Sequence, residues 1–116
     1  MPSGCRNLPA TAAAKAVVTA AYQARFPYLT RIETLPGTFY YGVCDGTEYA
    51  LTQFTPTPGA SEQERVAMQD EGSARKFFER TGGAGWRYVS SDTFPATPGC
   101  VGAIPTAIAK AWGNCR

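Results

Sequence analysis

Four widely spaced cysteines, in a 116-residue chain that contains no histidine, constrain this fold more than any other feature of its sequence. They are Cys5, Cys44, Cys100 and Cys115, and no two of them form a C-x-x-C pair. Without histidine, a zinc site would need all four thiolates, and such sites normally use two closely spaced cysteine pairs. The cysteines therefore predict two disulfides, no metal site, and an oxidising compartment outside the cytoplasm.

Four cysteines allow three disulfide pairings, and the sequence alone does not decide between them. Cys100 and Cys115 flank the last predicted helix, whereas Cys5 precedes the first helix and Cys44 lies at a predicted hairpin tip. We prefer Cys5–Cys44 with Cys100–Cys115. The rival pairing, Cys44–Cys100 with Cys5–Cys115, would tie both chain ends together.

The length and the charge of the chain narrow the class of protein. Residues 1–116 fit one domain, and an apolar fraction of 44% is ordinary for a globular fold. The net charge is +2, with acidic and basic residues interspersed, so we expect neither a nucleic-acid partner nor binding to an anionic membrane. No stretch approaches the roughly 20 apolar residues that span a bilayer.

The predicted location is secreted, with one alternative. The sequence Pro2-Ser3-Gly4-Cys5 is similar to the end of a bacterial lipobox, in which the cysteine becomes lipidated and anchors the protein to the cell surface. Lipidation of Cys5 would leave an odd cysteine unpaired, which is why we expect the disulfide instead.

The N-terminal third predicts one amphipathic helix over residues 11–25. Thr11 is a suitable N-cap, and apolar residues recur at i, i+3 and i+4 from Ala14 to Tyr22. Pro27 ends the helix, because the residue before a proline is pushed out of the helical region. The small apolar stripe suits a helix that lies on a sheet.

The strongest local signal is a β-hairpin with strands 38–44 and 47–55 around Asp45-Gly46, a dipeptide typical of a two-residue type I′ turn. That turn sets Cys44 opposite Thr47, Gly42 opposite Tyr49, and Tyr40 opposite Leu51. We expect Tyr49 to lie across Gly42. Both strand faces carry aromatic residues, and the two helices are expected to cover them.

Residues 61–80 allow two interpretations. A capping box at 61–64 and good helix formers up to residue 80 fit one long helix. The interpretation we favour has a short helical turn over 61–68, a break at Asp70-Glu71-Gly72, and a strand over 73–80. A second hairpin then follows, with a glycine turn and a strand over 86–91.

The chain closes with a proline- and glycine-rich loop over 91–102 and a short helix over 105–112, with Pro105 at N1 and Gly113 after the helix. The predicted fold class is therefore α+β. An N-terminal helix packs on an antiparallel sheet of about four strands in two hairpins, with a short C-terminal helix and two disulfides.

Aromatic and glycine residues recur in three stretches of the chain. These are FYYG (39–42) with GTEYA (46–50), QDEG (69–72) with GW (85–86), and IP (104–105) with AWG (111–113). This pattern resembles a group of small exported actinobacterial domains and lipoproteins of unknown function. The resemblance implies export and a strand at 73–80, but no activity. The element order is also similar to secreted inhibitor scaffolds such as cystatins, an analogy of architecture only.

The sequence offers little for catalysis. Without histidine there is no common general base at neutral pH, and bridged cysteines provide no thiolate nucleophile. The adjacent Asp70 and Glu71 predict a turn, and Glu48 a solvent-facing strand residue or the partner of a nearby arginine. We expect no catalytic residues and no cofactor, with a carboxylate-based hydrolase as the weakest alternative.

The sequence therefore predicts an exported, non-enzymatic binding module that recognises an extracellular protein, with an inhibitor as one form. The candidate contact residues are Tyr40, Tyr41, Tyr49 and Trp86, because tyrosine and tryptophan are favoured at binding hot spots. The alternative is a domain that binds a cell-wall saccharide by stacking these aromatic rings.

Overall fold

The computed structural model describes residues 4–71, 74–92 and 98–115. Over these ranges the chain has the predicted α+β fold, with an N-terminal helix, antiparallel strands, a short C-terminal helix and two disulfides. The elements in chain order are β1 (Cys5–Asn7), α1 (Ala12–Arg25), β2 (Ile32–Thr34), β3 (Tyr40–Cys44), β4 (Thr47–Thr52), β5 (Phe54–Pro56), α2 (Glu62–Glu71), β6 (Arg75–Thr81), β7 (Arg87–Asp92) and α3 (Thr106–Ala111).

The described strands form a five-stranded antiparallel sheet and a smaller two-stranded sheet. The large sheet has the order β1-β3-β4-β6-β7, and the small one pairs β2 with β5. Both predicted hairpins, β3–β4 and β6–β7, are present. The large sheet gains β1 at its edge, and the predicted second strand of the first hairpin is divided at Gln53 into β4 and β5.

The first hairpin has the predicted register. Cys44 pairs with Thr47, Gly42 with Tyr49, and Tyr40 with Leu51. Asp45 and Gly46 have φ angles of 49° and 83°, so both turn residues adopt the left-handed conformation that a type I′ turn requires. Aspartate and glycine tolerate this conformation better than other residues, which is why the sequence specifies the turn.

Helix α1 begins and ends close to the predicted positions. The Thr11 hydroxyl accepts a hydrogen bond from the Ala14 amide at 3.1 Å, which makes Thr11 the N-cap. The helix ends at Arg25, two residues before Pro27. Its buried face, which includes Val18 and Tyr22, packs on the sheet.

The segment that allowed two interpretations contains both a helix and a strand. Helix α2 extends to Glu71, so the predicted break at Asp70-Glu71 is wrong, and both residues belong to the helix. Both are acceptable helix formers, and nothing at those positions forces an earlier stop. Strand β6 follows at Arg75, while Gly72 and Ser73 lie outside the described residues.

The sheet is covered on both faces, as the aromatic residues on both sides of the hairpin predicted. Two apolar clusters lie on opposite faces. The cluster on the α1 face consists of Val18, Tyr22, Leu29, Ile32, Ala50, Phe54, Met68 and Phe78. The cluster on the α3 face consists of Cys44, Leu51, Phe77, Val101, Ile104, Ile108, Ala109 and Trp112.

The C-terminal segment is held down by the second disulfide. Pro105 is the N-cap of α3 and not its first helical residue, so that prediction was one position early. Gly113 has a φ of 74° and follows the C-cap Trp112, as predicted. The disulfides are Cys5–Cys44 and Cys100–Cys115, the preferred pairing.

Candidate functional site

The four aromatic residues predicted to bind a partner do not form one surface. Tyr41 and Trp86 lie together on the α1 side of the sheet, with ring centroids 5.7 Å apart. Tyr40 and Tyr49 alternate with Tyr41 along the hairpin and lie on the opposite, α3 side. A single site can therefore use only one of the two pairs.

The pair on the α3 side serves mainly to pack that face. Tyr49 is partly buried against the apolar cluster there. Tyr40 is 40% exposed, and its ring lies 5.7 Å from that of Trp112. Gly42 is covered by the indole of Trp112, where the sequence predicted Tyr49. The favoured candidate site is therefore the pair on the α1 side.

Tyr41 and Trp86 belong to a polar and aromatic group that we call the Tyr41 cluster: Tyr41, Glu48, Arg80 and Trp86. Glu48 on β4 and Arg80 on β6 are directly opposed in the sheet. Arg80 donates from Nε to Oε2 of Glu48 at 2.6 Å, and the Tyr41 hydroxyl donates to Oε1 of the same carboxylate. The arginine partner that the sequence allowed for Glu48 is thus Arg80.

Trp86, just before β7, completes the cluster. The Arg80 guanidinium carbon lies 5.2 Å from the centre of the Trp86 ring, a cation–π distance, and the Tyr41 ring meets Trp86 edge to face. Arg80 therefore joins the carboxylate of Glu48 to the face of Trp86. Each side chain in the cluster is fixed by at least one other, which gives the site a defined shape.

The electrostatics of the cluster follow from these contacts. Burial raises the pKa of the Tyr41 hydroxyl, and the hydrogen bond to the negative Glu48 raises it further, so Tyr41 stays a donor. For Glu48, burial is the largest single effect and raises the pKa. The hydrogen bonds from Tyr41 and Arg80 and the positive charge of Arg80 together lower the pKa by more than burial raises it, so the pKa of Glu48 is lowered overall. Glu48 is therefore ionised at neutral pH.

Two shallow depressions meet at this cluster and share Thr11 and Tyr41 as walls, and we call the pair the Tyr41 groove. One part, of about 460 Å³, is lined by Arg6, Leu8, Pro9, Thr11, Tyr41, Val43, Gly46 and Glu48. The other, of about 290 Å³, is lined by Thr11, Ala13, Ala14, Val17, Tyr41, Arg80 and Trp86. The walls are largely apolar, and Val17 is 47% exposed there.

The described lining of the groove holds few groups for acid–base catalysis. Glu48 is the only carboxylate among its described lining residues, whereas glycoside hydrolysis needs two facing each other. Among the described residues, no group of three or more histidine, cysteine, aspartate or glutamate side chains is placed to hold a metal ion. Glu48 is already engaged by two donors, so it is a poor candidate for a general base.

Sequence reasoning found Tyr41 and Trp86 but missed the role of Arg80. The Asp-Gly turn specified the partners of Glu48 within the hairpin, but nothing local specified which strand would pair with the other edge of β4. Thr11 was identified only as a helix cap, yet it also lines both halves of the groove.

The structure shows which of its two predicted states Cys5 adopts. All four cysteines are bridged, and because lipidation of Cys5 would leave Cys44 unpaired, the observed Cys5–Cys44 bond and a lipid anchor at Cys5 exclude each other. Within residues 4–71, 74–92 and 98–115, none of the helices has the length and apolarity needed to cross a bilayer.

Comparison with models of known protein families, with curated proteins and with solved structures found no match. The resemblance to small exported actinobacterial domains stays a prediction.

Proposed function

We propose that this chain is an exported binding module that recognises another protein through the Tyr41 groove. The observation that carries the proposal is the Tyr41 cluster itself, a tyrosine, a tryptophan and an arginine held together beside exposed apolar residues of α1. Tyrosine, tryptophan and arginine are the residues most enriched at the energetic centres of protein interfaces.

Rigidity supports this function. Binding costs free energy whenever flexible side chains must be ordered, and a preorganised surface avoids much of that cost. Arg80 is already fixed by Glu48 and Trp86, and Tyr41 by Glu48. Strand β3, which carries Tyr41, is itself tied to β1 by the Cys5–Cys44 bond.

Export is supported by the two disulfides, since cytoplasmic thiols are kept reduced in most organisms. A secreted protein also meets its partners at high dilution and in variable conditions. A cross-linked scaffold that holds its binding residues in place suits that setting.

The cell-wall saccharide alternative is less favoured by the same geometry. A sugar ring stacks on an open aromatic face and exchanges hydrogen bonds with free polar groups. Here Arg80 lies over one face of Trp86, and the Glu48 carboxylate already accepts from Tyr41 and Arg80. Few polar groups of the cluster therefore remain free to form hydrogen bonds with the hydroxyl groups of a sugar.

The proposal is tested by affinity capture with matched variants. The chain is immobilised and exposed to cell-free culture fluid of its source organism, and bound proteins are identified by mass spectrometry. Val17→Lys alters an exposed groove residue and leaves the core intact, and Trp86→Ala removes the central ring. Tyr28→Ala is the control, because Tyr28 is 51% exposed and lies outside the described groove lining.

We expect one or more proteins to be retained by the native chain and by Tyr28→Ala, but lost from both groove variants. Equal retention by all four chains would overturn the proposal. So would the absence of any retained protein together with sedimentation of the native chain on purified cell walls, which is the result that the saccharide alternative predicts.

A further inference from the structure

The basic side chains that line the Tyr41 groove outnumber the acidic ones. Glu48 and Arg80 neutralise each other through their ion pair. Arg6, which lines the other half of the groove, has an exposed side chain and forms no ion pair with any described residue. One positive charge is thus left over in a depression whose other walls are mostly apolar or uncharged.

Arg6 is held at a defined position in that wall. It is the middle residue of β1 and pairs with Val43, and the neighbouring Cys5 is bonded to Cys44. The chain stays close to β3 beyond the strand, where the Leu8 amide donates to the Tyr41 carbonyl at 2.9 Å. The backbone that carries the free charge is therefore anchored on both sides.

Apolar surface lies directly beside this charge. Leu8, Pro9 and Val43 line the same half of the groove, and Tyr41 leads from it to the half that contains Val17 and Trp86. An occupant that matches this surface needs an apolar side chain for the wall and a negative group for Arg6. A basic occupant would face Arg6 with no free carboxylate to meet it, since Glu48 is already paired.

We propose that the groove binds a segment of a partner protein in which a carboxylate, from aspartate, glutamate or a chain terminus, lies next to an apolar side chain. This inference rests on the proposed function and specifies the chemistry of the partner. The carboxylate pairs with Arg6 at the rim, and the apolar side chain packs across Tyr41 into the half of the groove that Val17 lines. A rim charge of this kind acts mainly on the association rate and on its salt dependence.

The test uses a phage-displayed library of random dodecapeptides selected on the native chain, followed by affinity measurement of the enriched peptides. Arg6→Glu reverses the free charge. Lys110→Glu is the matched control, because it makes the same charge change at an exposed position of α3, on the opposite face. Val17→Lys reports whether a peptide uses the groove at all.

We expect enriched peptides to carry an aspartate or glutamate beside an aromatic or aliphatic residue. Their affinity should fall about tenfold in Arg6→Glu, stay unchanged in Lys110→Glu, and weaken as salt is raised, since the pair is exposed to screening. Enriched peptides without carboxylates, or equal affinity for the two charge variants, would overturn the inference.

The two proposals fail differently. If peptide binding is abolished by Val17→Lys but unaffected by Arg6→Glu, the groove remains a protein-binding site and an acidic partner is refuted. Selection of no peptide at all, or of peptides that ignore both groove variants, would count against the proposed function as well. Binding that responds to Arg6→Glu but not to Val17→Lys would refute the combined acidic and apolar segment.

Discussion

The indole of Trp112 lies against the Cα of Gly42, where any larger residue would clash. A Cβ added to Gly42 would come within 3.0 Å of Cζ2 of Trp112 and 2.9 Å of the Arg6 carbonyl oxygen. Trp112 also donates from Nε1 to Oδ1 of Asn7 at 2.9 Å. The last helix is thus fitted to the point where β1 and β3 meet.

Gly42→Ala should destabilise the fold by about 1–3 kcal/mol, because the added methyl group meets a backbone oxygen that cannot move without disturbing β1. Urea unfolding followed by tryptophan fluorescence measures the change. Gly85→Ala is the control, since a Cβ there meets nothing within 4 Å, and it should change stability by less than about 0.5 kcal/mol. Similar values for the two variants would contradict the packing described for Trp112.

Glu48→Gln should remove a pH dependence of stability. The pKa of Glu48 is lowered from its ordinary 4.5 in the folded chain, so its ionised form stabilises the fold above that pH. This contribution is lost as the pH falls through the lowered pKa. The stability difference between the native chain and Glu48→Gln should therefore narrow as the pH falls below about 4.5, the ordinary pKa of a glutamate, and through the lowered pKa of the folded chain.

Urea unfolding at a series of pH values measures that difference. The matched control is Glu79→Gln, which removes the carboxylate of the Glu79–Arg87 pair, whose arginine side chain is 66% exposed. Exposed pairs contribute little, so this variant should stay within about 0.5 kcal/mol of the native chain near neutral pH. A difference that is constant with pH for Glu48→Gln would refute the role assigned to its ionised form.

Glu64→Ala should destabilise the fold by about 1–3 kcal/mol, because it removes a buried carboxylate that accepts two part-buried hydrogen bonds. The Glu64 carboxylate accepts from the Thr30 hydroxyl at 3.2 Å and from the Arg31 amide at 3.1 Å, and so joins α2 to the start of β2. Thermal unfolding by circular dichroism measures the loss. Glu62→Ala, an exposed position in the same helical turn, should show almost none.

Removing the two disulfides should have unequal effects. Cys5 and Cys44 are 39 positions apart and Cys100 and Cys115 are 15 apart. In the chain-entropy account, losing the longer loop costs about 4 kcal/mol and losing the shorter about 3 kcal/mol. The free energies of unfolding of two double variants, Cys5→Ala/Cys44→Ala and Cys100→Ala/Cys115→Ala, test which disulfide contributes more. Greater loss in the second variant would show that native contacts outweigh loop closure.

Elements specified by local chemistry were predictable from the sequence. The Asp45-Gly46 turn gave the hairpin and its register, and Thr11 and Pro27 gave the bounds of α1. In each case a few adjacent residues restrict the backbone strongly enough to decide the structure. The preferred disulfide pairing was confirmed as well, although the sequence alone did not decide between the three pairings.

Elements that depend on distant contacts were not predictable in the same way. Strand β1 has only three residues and no alternating pattern, and it exists because it pairs with β3. The short β2 and β5 depend on each other in the same manner. Tertiary pairing decides such strands, and intrinsic propensity has little influence on them.

The candidate site also combines residues that the sequence identifies with an arrangement that depends on distant contacts. Tyr41 and Trp86 were identified from residue type, but their convergence depends on the sheet order. Arg80 reaches Glu48 only because β4 lies between β3 and β6. Strand alternation would have separated Tyr40 from Tyr41 in advance, and it was the available signal that the four aromatics could not share one surface.

The bond between Cys5 and Cys44 also governs which charge the groove presents. The two cysteines occupy the same rung of the β1–β3 ladder. If β1 slid along β3 by one position, every side chain of β1 would turn to the other face, and Arg6 would leave the groove. The disulfide at that rung prevents the slide, so the oxidation of two sulfur atoms decides on which face of the sheet the Arg6 side chain lies.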